Sequence, residues 1–94
     1  MLPHDMVAAM SADDERDQEW LDADLGAEEM HGLIHYPPAV GVARMEKRLR
    51  LLRGRLATLH PNAVGTESEV ALIRDIKASE LRLAEFRTQL EGLN

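Results

Sequence analysis

The stretch VARMEKRLRLLRGRLATL, residues 42–59, decides the fold. Its apolar members Val42, Met45, Leu49, Leu52, Leu56 and Leu59 recur at steps of 3, 4, 3, 4 and 3. A mean step of 3.5 residues keeps these side chains on one stripe of an α-helix, facing a single partner. Upstream, Tyr36 and Pro37 each precede a proline, which pushes them toward extended backbone, so the helix is expected to start after Pro38. Downstream, Pro61 disfavours helical geometry at the residue before it, so the helix is expected to end at His60.

The partner for this stripe lies in the same chain. After the breaker-rich loop PNAVG, a second seam runs Leu72, Ile76, Ser79, Leu83, Phe86, Leu90, Leu93 at steps of 4, 3, 4, 3, 4 and 3. Thr66 and Glu69 have the spacing of a capping box. In that motif the hydroxyl accepts the Glu69 amide and the carboxylate reaches back to the Thr66 amide. Two apolar stripes joined by a short loop fold back as an antiparallel, coiled-coil-like helical hairpin. The reading is therefore all-α: an acidic N-terminal arm over 1–36 with one or two short helices, and a hairpin over 37–94. Within the hairpin the helices fall at about 39–60 and 66–92, around a loop at 61–65. Ser79, the polar member of its seam, is expected to bond the carbonyl one turn earlier or to mark a close approach of the helices opposite Gly54.

The arm is less regular. Ser11 followed by Asp13 and Asp14 fits a helix N-terminus, where acids suit the helix dipole. The pattern predicts a helix from about Ala12 to Asp24 showing Trp20, Leu21 and Leu25 to a core. An interruption at Gly26 follows, then a short helix from Ala27 to His35 with Met30, Leu33 and Ile34 on its apolar face. The first dozen residues are expected to be mobile unless Met6, Val7 and Met10 dock.

Composition narrows the functions. The chain has 94 residues, three aromatics (Trp20, Tyr36, Phe86) and no cysteine, which removes disulfides, thiolate catalysis and Cys-based zinc sites. A hairpin of this size buries little apolar surface, so it is expected to lean on the arm, on a second copy or on another protein. No apolar run reaches the ~18–20 residues needed to cross a bilayer. The N-terminus lacks the basic and apolar regions of a signal peptide, so a cytoplasmic location is expected. Nine of the eleven bases are arginine, which, with abundant Ala, Asp and Glu, resembles a high-GC bacterial or phage reading frame.

The net charge of −6 divides sharply, at −9 over residues 1–35 and +3 over residues 36–94. Residues 44–55 carry Arg44, Lys47, Arg48, Arg50, Arg53 and Arg55 against Glu46 alone. On a helix these bases offer phosphate contacts for nucleic acid or an anionic nucleotide. The acidic arm is an alternative counterpart within the same chain. In the opposite sense, the arm SADDERDQEWLDADLGAEE could imitate a nucleic-acid backbone, with Trp20 as an anchor.

Two further constellations stand out. Glu28, His31 and His35 would share a face of a continuous helix at i, i+3 and i+4 spacing and could ligate a divalent ion. Neither long seam, however, contains an inward carboxylate or histidine to complete such a site. The second is apolar: Val40 and Leu51 on the first long helix, and Val70, Ile73 and Leu81 on the second, lie outside the seams.

No phosphate loop, catalytic triad order or cysteine nucleophile is present, so no enzyme, catalytic residue or cofactor is expected. The first reading is a small interaction or regulatory protein, similar in outline to small bacterial and phage helical-hairpin regulators. It oligomerises and binds a protein partner through helix faces, with Trp20, Leu51, Val70, Ile73 and Leu81 as contacts. Anion binding by the arginines and metal binding by Glu28, His31 and His35 are the alternatives.

Overall fold

The structure is a computed structural model. It describes the backbone of residues 2–32 and 34–93 and the side chains of residues 15–32 and 34–93. The described residues are all-helical, without strands. They divide into two compact units, residues 1–34 and residues 35–94.

The first unit is one long helix, α1 (Leu2–His31), where one or two short helices were expected. Gly26 does not interrupt it. An isolated glycine costs a helix only about 1 kcal/mol relative to alanine, and Leu25, Ala27, Glu28, Glu29 and Met30 around it are strong helix formers. The stop comes six residues later. Gly32 adopts φ 75°, a left-handed conformation that glycine enters without Cβ strain, and its amide donates to the Glu28 carbonyl at 2.8 Å. That single bond back across the last turn is the αL form of helix termination. The expected helix from Ala27 to His35 therefore ends at His31. Leu21 is buried, Trp20 and Leu25 are half-buried, and Met30 is exposed. The expectation for Met6, Val7 and Met10 lies outside the described side chains.

The second unit is the hairpin. Its first helix, α2 (Pro38–Ala57), starts one residue earlier than the proline rule suggests. Pro38 occupies the first helical position, where its missing N–H would have had no helical partner anyway. Pro37 stays extended at φ −53° and ψ 142°, and its carbonyl accepts the Gly41 amide at 2.9 Å to open the helical ladder. The second long helix, α3 (Glu67–Gly92), packs closely along α2. Ion pairs fix the direction: Arg53 meets Glu80 at 3.5 Å and Glu46 meets Arg87 at 3.9 Å, so early residues of α2 face late residues of α3.

The two seams zip together. Met45, Leu49, Leu83 and Phe86 form the buried cluster, with Tyr36, Val42 and Ile76 packed against it. Leu52 is fully buried as well. Each such side chain contributes about 1.5–3 kcal/mol of transfer free energy. Among the glycines, Gly41 is the one that admits the neighbouring helix: a Cβ there would stand 2.4–2.5 Å from Phe86 ring carbons. Tyr36 adds a tilted ring contact to Phe86, with centroids 6.4 Å apart. Gly54, the expected close approach, has open space around its Cβ position. Ser79 is buried, and its Oγ donates to the Asp75 carbonyl at 2.7 Å within its own helix. Leu93 leaves the seam and is exposed.

The connection is a built turn. α2 stops at Ala57, three residues short of His60, and the Thr58 hydroxyl donates to the Gly54 carbonyl at 2.9 Å. His60 is extended before Pro61 and caps a 3₁₀ turn over Pro61–Ala63, its Nδ1 accepting the Asn62 amide at 3.1 Å. This contact, and not a helix C-terminus, is what His60 serves. Val64 (φ −65°, ψ 129°) and Gly65 (φ +83°) then occupy the central positions of a type II turn closed by the Thr66 amide on the Ala63 carbonyl at 3.1 Å. The Thr66 amide is thereby used, so the Glu69 carboxylate accepts the neighbouring Gly65 amide at 3.2 Å. The Thr66 hydroxyl turns to the Ala63 carbonyl. The expected capping box is therefore not formed: the Thr66 side chain makes no cap bond, and only the carboxylate half is kept, moved to the Gly65 amide.

Candidate functional site

The face of α3 turned away from the seam carries Val70, Ile73, Lys77, Leu81, Ala84 and Thr88, at steps of 3, 4, 4, 3 and 4. At 100° per residue these positions form one stripe. Its larger apolar members are exposed, with Val70 at 59%, Ile73 at 38% and Leu81 at 68%, whereas Leu83 and Phe86 on the inner face are at 8% and 6%. Arg74, Lys77 and Glu85 along the stripe are also exposed. The Thr88 hydroxyl donates to the Ala84 carbonyl at 3.0 Å, which leaves a methyl on the row. α3 is therefore apolar on two sides. Val70, Ile73 and Leu81 were legible as off-seam residues. Their continuation through Lys77, Ala84 and Thr88 was the missed signal, because two small side chains and a lysine hide a row built, like the inner seam, from steps of 3 and 4.

The remaining expected contacts sit elsewhere. Leu51 is buried at 9% exposure, so its side chain offers little free surface. Val40 is exposed at 45% near the start of α2. Trp20 lies in the other unit, half-buried on α1.

The six bases of α2 do not form one solvent-facing surface. Arg48 is buried at 2% exposure, while Lys47 and Arg55 are half-buried. Arg44 is half-buried with its guanidinium 4.8 Å from the Tyr36 ring centroid, a cation–π contact. Arg50 and Arg53 are exposed, and Arg53 meets Glu80. Glu46, Leu49, Arg50, Arg53, Leu83 and Arg87 line a shallow groove of about 400 Å³ between the helices. Two carboxylates, Glu46 and Glu80, already face its arginines Arg87 and Arg53.

Glu28, His31 and His35 are not brought onto one helix face. Glu28 is half-buried and His31 exposed in the last turn of α1, whereas His35 lies beyond the Gly32 stop, at the start of the second unit. The i, i+4 geometry needs helix through His35, and Gly32 removes it. Among the described residues no cluster of three or more His, Asp or Glu side chains is arranged to hold a metal ion. No helix is long and apolar enough to cross a membrane, again among the described residues.

Comparisons with protein-family models, with curated proteins and with solved structures found no match to this chain.

Proposed function

We propose that the chain is a non-enzymatic, cytoplasmic interaction module that self-associates and binds another macromolecule through helix faces. One observation carries this reading: α3 exposes a second apolar row while its first is consumed by the hairpin. A helix needs a single apolar stripe to join a two-helix core. A second stripe, in register along the same helix, is surplus to that core and has the i, i+3, i+4 spacing of helix-face recognition. Anion binding by α2 draws less support, since Arg48 is buried and Arg44 and Arg53 already have partners.

The test is a photo-activated crosslinking residue at position 81, compared with one at position 78, in cells that make the protein. Both positions are exposed, but Ala78 lies off the row. Discrete adducts from position 81 and few from position 78 are expected. A bare monomer at both would refute the proposal.

A further inference from the structure

We infer that the outer row of α3 is a self-recognition surface, on which a second copy of this chain packs its own α3 in antiparallel orientation. The inference rests on the reading of α3 as an interaction face and names the occupant of that face. Reversal about residue 79 lays Val70 against the partner's Thr88, Ile73 against the partner's Ala84, and Lys77 against the partner's Leu81. Large residues of one copy thus meet small ones of the other, and the lysine stem covers a leucine while its ammonium reaches water.

Charge selects this arrangement. Arg74 and Glu85 lie on the same flank of the row, both exposed, and their midpoint falls within one residue of the same reversal centre. In an antiparallel pair a flank faces its own counterpart, so Arg74 meets the partner's Glu85, and the symmetry repeats the contact. A parallel pair would instead set Lys77 against the partner's Lys77 in the middle of the row, where like charges oppose association. On the other flank Glu80 approaches the partner's Glu80 near the two-fold axis. Its carboxylate is held there by Arg53 at 3.5 Å within each hairpin, which offsets that repulsion. Symmetric, self-complementary pairing of one patch is the isologous form that closes as a dimer and does not propagate.

Sedimentation equilibrium of the full chain, with helical circular dichroism as the folding control, tests the pairing. Reversible dimerisation is expected for the natural sequence. Arg74→Glu and Glu85→Arg should each weaken it roughly three- to thirty-fold, because each turns two attractive contacts into two repulsive ones. The double variant Arg74→Glu/Glu85→Arg should recover most of the loss, and Lys77→Leu should tighten the dimer about tenfold or more. A chain that stays monomeric into the millimolar range overturns the inference, as does a double variant no tighter than the singles. If crosslinks from position 81 then persist to a different protein, binding of another macromolecule stands, self-association falls, and the second copy is not the occupant of the row. If those crosslinks are missing too, both readings fall.

Discussion

Two glycines of α2 should respond to the same substitution with opposite signs. Gly41→Ala adds a methyl whose carbon would lie 2.4–2.5 Å from three Phe86 ring carbons, where ordinary contact needs about 3.5 Å or more. Phe86 is 6% exposed and packed among Met45, Leu49 and Leu83, so its rigid ring cannot swing aside without opening the core. Overpacking of this kind costs about 1–3 kcal/mol. The better helix propensity of alanine returns about 1 kcal/mol, leaving a net loss of up to about 2 kcal/mol. Gly54→Ala meets nothing within 4 Å and lies inside the same helix, so it should gain about 0.5–1 kcal/mol. Urea unfolding of the full chain, followed by helical circular dichroism at one fixed protein concentration, reads both. With a slope near ~1 kcal/mol per molar urea for so small a domain, the two midpoints should separate by about 2 M. Adding Phe86→Leu should remove much of the Gly41→Ala penalty and expose a coupling energy between the two sites. Equal stabilisation by both alanines would refute the packing of Phe86 on Gly41, and with it the register assigned to the hairpin.

Gly65→Ala places a Cβ on a residue at φ +83° in open space, so its cost is conformational, about 1–2 kcal/mol, and should appear as a lower urea midpoint without a change in slope. Ser79→Leu should destabilise by about 1–3 kcal/mol, since the site is 1% exposed and already filled. Ser79→Ala should stay within about 1 kcal/mol of neutral, because donor and acceptor of the lost bond belong to one helix; thermal melts distinguish the two. Arg53 and Glu80 have side chains 58% and 51% exposed. A double-mutant cycle on this pair should therefore return no more than about 0.5 kcal/mol at physiological salt; a coupling above ~2 kcal/mol would mean that the pair is far better shielded from water than this.

The hairpin was written in local periodicity. A 3–4 spacing of Leu, Met, Ile and Phe reports which residues can share a stripe, because the helix repeat is a property of the backbone alone. Pro38 opens α2 by the same local logic, although the helix stops at Ala57, ahead of Pro61, and the type II turn needs its glycine at position 65 for a backbone reason. What failed at this level was competition between local signals. Gly26 and Gly32 look alike in the sequence, yet one is absorbed by α1 and the other ends it, by entering the left-handed conformation that turns the chain off the helix after its amide has bonded back to Glu28. The single helix face expected for Glu28, His31 and His35 is lost with that choice.

Sequence alone thus determined that two apolar stripes exist, that they suit antiparallel helices, and that the chain is divided between an acidic arm and a basic helix. Tertiary structure decided which small residue admits the neighbouring helix. It selected Gly41 over Gly54 because register, set by the summed fit of both seams, places Phe86 there. It also decided which apolar residues remain at the surface. Leu51 is covered while Val70, Ile73 and Leu81 stay open to water, a distinction no spacing rule can make, because burial depends on what lies opposite and periodicity records only direction.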